Sequence, residues 1–183
     1  IHPLFKTRGV PGTHDINLVK KFFQSIKKRK FREFKLPKFY KPMDDRLEKK
    51  YWPNIKKRPE IVILEGWCVG AKPQSNFVLK KPINTLEKYE DQDFTWRIHV
   101  NEMLKKEYKK IFEMIDYFIF MKIPNFGVVL KWRFIQERKL GKKSHSKRNI
   151  MSYNEIKRFI MFYQRITLQM IKDLSKSASV VMF

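Results

Sequence analysis

The sequence predicts an α/β protein with a mostly parallel sheet. Two apolar runs carry this expectation, Ile61-Val62-Ile63-Leu64 and Tyr117-Phe118-Ile119-Phe120-Met121, together with helix-period stretches between and beyond them. Short branched or aromatic runs without polar alternation suit strands buried on both faces, and strands that alternate with helices pair in parallel. The 183 residues fit one domain, 1–183, and suffice for a real core.

Residues 1–14 contain Arg8-Gly9-Val10-Pro11-Gly12-Thr13-His14, a run of turn formers. Asp15 suits the N-cap of a helix with Ile16, Val19, Phe22, Phe23 and Ile26 on one face, ending near Lys30. A short strand fits 31–39, interrupted by Pro37, and the polar, proline-rich stretch 40–59 reads as a long loop. The run at 61–64 stops at Glu65-Gly66 and is expected to be the central parallel strand, with Glu65 at its carboxyl end. Residues 68–84 read as loop, and helices are expected at 85–92, 95–114 and about 126–140. Ser152 with Glu155 forms a capping box for a last helix running to about Leu174. Val180-Val181-Met182-Phe183 begins a further strand, and a sequence that stops inside an apolar run, without an initiator Met at Ile1, suggests a truncated chain.

The 30 Lys and 11 Arg outweigh 18 Asp and Glu, for a net charge of +23. Such a charge favours non-specific polyanion binding that falls with salt. The lysines run along the whole chain, however, and the arginine fork that suits specific nucleic-acid contacts is the minority cation. No run is long and apolar enough to span a membrane, and no signal pattern opens the chain. A single cysteine, Cys68, excludes an internal disulfide and a cysteine-built metal site, and fits a reducing, cytoplasmic setting. His2, His14, His99 and His145 lack zinc-site spacing. Gly141-Lys142-Lys143-Ser144 is no phosphate loop, because Gln136 stands where that pattern needs glycine.

Three segments could carry chemistry. Glu65 at a strand's carboxyl end suits a Mg²⁺ ion or its water, and equally a turn cap or a lysine partner. Arg8 ahead of a helix N-terminus suits an anion, and His14 beside it suits either a ligand or an exposed loop position. Arg133 lies i,i+4 from Glu137 and i,i+3 from Gln136, which suits an ion pair or a shared ligand.

Read together, these segments resemble the D-glycerate 3-kinase-type family of P-loop kinases. Pro3-Leu4 and Arg8 to Asp15 are similar to its "PL…RGxPGTHD", Val62 to Gly70 to its "VIxEGWxxG", and Asn84-Thr85-Leu86-Glu87 with Trp96 and Asn101 to its "NxLE…W…N". Pro37 to Lys41 resembles "PRYDKS", except that Tyr40 stands in place of Asp. Asp45-Arg46 with Trp52 resembles "GDR…W", and Trp132-Arg133 with Gln136-Glu137 resembles "WR..QE". Uridine kinases and phosphoribulokinases are more distant relatives.

The resemblance implies a P-loop NTPase-like three-layer fold whose N-terminal strands and phosphate loop are missing from this chain. It implies transfer of the γ-phosphate of ATP, with Mg²⁺, to a hydroxyl of a small acid such as D-glycerate. Glu65 would serve the metal through water, and Arg133 the transferring phosphate. Arg8, Gly12, Thr13, His14, Asp15, Lys41, Arg46 and Trp67 would bind substrate. Residues 126–150 would form a lid bearing Trp132, Arg133, Gln136 and Glu137. Arg8, His14, Glu65 and Arg133 are expected to meet in one cleft. Without a phosphate loop, efficient transfer by these residues alone is not expected. A basic nucleic-acid binder and a non-catalytic module that pairs through an open sheet edge are the alternatives.

Overall fold

The computed structural model describes residues 2–40, 43, 45–143 and 150–182. The chain divides into two compact units, Asp15–Glu65, and Ile1–His14 with Gly66–Phe183.

In the smaller unit the Asp15 carboxylate accepts the Leu18 N–H at 3.3 Å and starts helix α1, Ile16–Lys27. Its apolar side packs Phe22 on Phe34, with ring centroids 5.2 Å apart. Lys27 in the last turn suits the helix dipole. Strand β1, Phe34–Lys35, pairs antiparallel with β4, Asn54–Ile55, and β2, Phe39–Tyr40, pairs antiparallel with β3, Asp45–Arg46. The strand expected within 31–39 is thus two short pieces split around Pro37, which has no N–H for a ladder. The stretch expected as loop, 40–59, holds β3, β4 and a 3₁₀ turn at Lys49–Tyr51.

The expected central strand at 61–65 is not a strand. Ile61 and Ile63 are 81% and 86% exposed, and no strand among the described residues pairs with the run. Branched side chains favour extended backbone, but a strand exists only where its N–H and C=O groups find ladder partners.

The larger unit is mainly helical. Ser75 caps α2, Asn76–Lys80, inside the stretch expected as loop. Asn84 caps α3, Thr85–Tyr89. Helix α4, Thr95–Met103, passes through a π turn, Leu104–Tyr108, into α5, Lys109–Phe112. The expected helix 95–114 therefore exists, with a change of pitch that apolar spacing does not reveal. After β5, Ile119–Met121, come α6, Gly127–Lys143, and α7, Tyr153–Asp173. The Ser152–Glu155 capping box that starts α7 forms as expected. Strand β6, Val180–Met182, pairs in parallel with β5, Phe120 opposite Val181. This is the one parallel pair among the described residues. The fold is a mixture of helices and small two-stranded sheets, so a three-layer architecture is not what these residues display.

Helix α7 organises the core. Ile156, Ile160, Ile166 and Met170 recur near helix period and are buried with Phe162, which meets Trp96 edge-on at 5.7 Å. Each such side chain contributes roughly 1.5–3 kcal/mol on burial. The same face carries Arg165, which forks onto buried Glu87 at 2.7 and 2.6 Å. A second pair, Arg97–Asp91 at 2.7 Å, is buried beside it. Asp91 also accepts the Trp96 N–H, and Asn101 exchanges two hydrogen bonds with the Gln74 backbone. The Asn84-Leu86-Glu87, Trp96 and Asn101 run is therefore scaffold.

Gly70 sits at φ +80°, and a Cβ there would lie 2.7 Å from Phe118 Cζ. Gly70→Ala is expected to cost about 2–3 kcal/mol from left-handed strain plus overpacking. Urea unfolding with Gly66→Ala as control checks this. Equal losses in the two variants would refute the steric account.

Candidate functional site

The loop from Arg8 to His14 is built from its own residues first. Gly9 and Gly12 adopt φ +106° and +102°, conformations that glycine tolerates and L side chains rarely do. The Thr13 hydroxyl accepts the Gly9 N–H at 2.9 Å and donates to the Val10 carbonyl at 2.8 Å, closing the turn on itself. Within the loop, Val10 and Pro11 are fully buried.

Three aromatic side chains then fix the loop from outside. The Trp67 indole N–H donates to the Gly9 carbonyl at 2.6 Å. The Tyr163 hydroxyl donates to the Arg8 carbonyl at 2.9 Å, and its ring meets Trp67 edge-on at 4.9 Å. The hydroxyl of buried Tyr108 accepts the Gly12 N–H at 3.1 Å and lies 2.6 Å from His14 Nδ1. Burial pushes the Tyr108 phenol up to about 12 and raises Tyr163 as well. Desolvation draws His14 below its ordinary value of 6.5, although the residue as a whole is exposed. The loop thus presents Arg8 and His14 at the surface on a backbone held at Arg8, Gly9 and Gly12. Cys68, next to Trp67, is buried, and burial pushes its thiol up to about 12, which suits a packing residue.

Arg133 lies on α6. Its Nη1 donates to Gln136 Oε1 at 2.6 Å, its Nη2 pairs with buried Glu137, and its guanidinium stacks over Phe159 at 5.3 Å. The second Glu137 oxygen accepts the Met151 N–H at 3.3 Å. Phe159 in turn packs on Tyr163 at 5.0 Å, so α7 links Arg133 to the residues that hold Arg8 and Gly9. An open groove of about 500 Å³ runs along α6, lined by Trp132, Arg133, Gln136, Val129, Ile135 and Lys139. The spacing of Arg133 from Gln136 and Glu137 had suggested a pair or a shared ligand; the structure forms the pair and lines the groove with two of the three.

The other sequence-derived positions fall elsewhere. Asp15 and Arg46, both of the smaller unit, spend their charges on each other at 2.9 Å, which holds the Asp15 carboxyl below its usual range. Glu65 closes that unit as an exposed residue, on no strand. Lys41 lies outside the described residues, as does 144–149 of the expected lid. Sequence reasoning missed Tyr108 and Tyr163. A tyrosine at a core position of a helix needs a partner for its hydroxyl, and that was the available signal.

Among the described residues, the cluster of three potential ligating side chains is His2, Asp91 and Asp93, and Glu65 is not part of it. Asp91 is already spent on Arg97 and two backbone N–H groups. The sequence also contains no Gly-x₄-Gly-Lys-Ser/Thr loop to cradle ATP phosphates. Among the described residues no helix is long and apolar enough to cross a membrane.

No family model matches the chain. It is 28% identical over 168 residues to the uncharacterized kinase mug58 of Schizosaccharomyces pombe, covering 88% of this chain and 58% of that protein. It is 25% identical over 166 residues to the chloroplastic D-glycerate 3-kinase of Arabidopsis thaliana, covering 87% of this chain and 33% of that one. Its fold superposes on a D-glycerate 3-kinase from Cryptococcus neoformans var. grubii with a TM-score of 0.70 at 26% identity, over 94% of this chain and 61% of that one. The chain therefore spans between 33% and 61% of the length of these relatives. Agreement in both sequence and fold over most of the chain supports a glycerate kinase-type family.

Proposed function

We propose that this chain is the acceptor-binding and lid portion of an ATP-dependent kinase that phosphorylates a hydroxyl of a small organic acid, D-glycerate being the first candidate. The observation that carries the reading is the Arg8–His14 loop. A surface loop tied down by Thr13, Trp67, Tyr108 and Tyr163 is far more constrained than solubility requires. Such bracing keeps Arg8 and His14 where an anion can meet them, with a guanidinium fork that matches a carboxylate. Binding in fixed geometry is what phosphoryl transfer asks of the protein, because its catalysis is largely positioning and charge neutralisation. ATP would supply the phosphoryl group and Mg²⁺ would screen its charge. This chain's own residues act on the acceptor and the lid. Glu65 keeps a role toward the metal's water within this proposal, although its exposure gives it no preformed cage.

The test is direct. D-Glycerate is titrated into the 183-residue chain by calorimetry. Phosphoryl transfer from Mg-ATP is then assayed with the chain alone and with the chain fused behind the segment of the Cryptococcus enzyme that it does not cover. We expect glycerate binding by the chain, negligible transfer by the chain alone, and transfer by the fusion. Failure of glycerate to bind either form would overturn the acceptor assignment. Robust transfer by the chain alone would show that the phosphate cradle lies within these residues.

A further inference from the structure

The Tyr108 hydroxyl touches two groups of the loop, and proton counting decides what each does. A phenol has one proton to give and two lone pairs to receive. Gly12 N–H, at 3.1 Å, is a donor and takes one lone pair. The phenolic proton then has His14 Nδ1, at 2.6 Å, as its acceptor. In that arrangement Nδ1 carries a lone pair and the ring proton resides on Nε2. In the other tautomer, Nδ1–H and Gly12 N–H would both aim at the phenol oxygen, stranding a buried hydroxyl proton. Leaving such a donor unpaired biases the tautomers on the order of tenfold or more.

We infer that Tyr108 is a positioning residue that holds His14, an exposed residue, in its Nε2–H form, so that Nε2–H donates a hydrogen bond to an anionic oxygen, a carboxylate or phosphate, and does not act as a base toward the acceptor hydroxyl. This deepens the kinase reading and rests on it for the identity of the acceptor. The placement is structural. Tyr108 is the last residue of the π turn, is 3% exposed, and approaches the loop from α4–α5. Single π turns inside α-helices often occur at functional sites. The charges around it agree with a neutral pair. Tyr108 and nearby Cys68 are both pushed up to about 12 by burial and stay protonated, while His14 is drawn below its ordinary value. His99, whose ring borders Gly12, and Tyr163, whose hydroxyl donates to the Arg8 carbonyl, are further titratable groups beside the loop.

The experiment is long-range nitrogen–proton NMR of the histidine rings in the 183-residue chain at neutral pH, with D-glycerate and inorganic phosphate titrated separately. His14 is expected as the Nε2–H tautomer in roughly tenfold excess or more, and Tyr108→Phe is expected to bring the two forms within about threefold of each other. His14→Ala should weaken anion binding by on the order of tenfold, and His14→Gln, whose amide N–H reaches the Nε2 position, should restore most of it. A proton on Nδ1 in the unmodified chain overturns the inference, whether or not Tyr108→Phe folds, as does an unchanged tautomer ratio in a folded Tyr108→Phe. Loop resonances that move with glycerate while His14 does not overturn the inference and leave the kinase reading standing. A response of His14 to phosphate but not to glycerate supports the inference and removes the small-acid acceptor. No response of His14 to either anion overturns the donor role.

Discussion

Arg165→Met is expected to destabilise the larger unit by about 3–5 kcal/mol, because it leaves the Glu87 carboxylate buried without its cation. The magnitude follows from burial. Glu87 is fully enclosed and the Arg165 side chain is 9% exposed, so solvent cannot replace the lost partner. Arg165 also reaches the Lys81 carbonyl at 2.7 Å, and Glu87 accepts the Ile83 N–H at 3.0 Å, so the same pair ties α7 to the segment between α2 and α3. The double replacement Glu87→Leu with Arg165→Met should recover most of the loss, since an apolar pair of similar volume avoids desolvating two charges. Urea unfolding of the three forms, with hydrogen exchange of the α7 amides, measures both effects. A single variant within about 1 kcal/mol of the parent would mean that water reaches Glu87 and that the network is not closed.

That network also shows where sequence reading stopped. Glu87 and Arg165 are 78 residues apart, and each alone looks like a charged position on a helix face. What made them a pair was the packing of α7 on α3, which local periodicity does not encode. Features set by neighbours in the chain were legible: the Asp15 and Ser152 caps, the helix-period faces of α1 and α7, and the Arg133–Glu137 pair. The parallel pairing of β5 with β6 followed from two apolar runs bounding a helical stretch. Ile61 to Leu64 had the same composition and did not become a strand, because pairing is a property of two segments and composition belongs to one. Of the expected site residues, Arg8, Gly12, Thr13 and His14 lie on one loop that Trp67 braces from outside, while Asp15 and Arg46 neutralise each other in the smaller unit. Tyr108 and Tyr163 were hidden because an aromatic at helix spacing reads as core, and only the fold shows what its hydroxyl touches.

Arg133→Ala is expected to lower turnover by about 10³-fold in the fusion proposed to phosphorylate glycerate, with a much smaller change in KM. On the kinase reading this arginine meets the phosphoryl group during transfer and contributes little to holding the acceptor beforehand. Its present contacts set the terms of that motion. Gln136 and Glu137 hold two guanidinium nitrogens, Phe159 supports its face, and Nε is buried without an acceptor. An arginine with one donor unmet sits beside a groove of about 500 Å³ into which its fork can turn. Arg133→Lys should not restore turnover, because a point charge lacks the planar two-donor geometry. Glu137→Gln separates the two duties of the pair. It keeps the side-chain shape on α6 and the contact to Met151, but it removes the charge that holds Arg133. If Arg133 must leave Glu137 to act, this variant retains turnover while losing stability. If the ion pair itself sets the reactive position of the arginine, Glu137→Gln falls with Arg133→Ala. Should Arg133→Ala keep turnover within about threefold of the parent, the arginine is a structural partner of Glu137 and transition-state charge must be met by another cation.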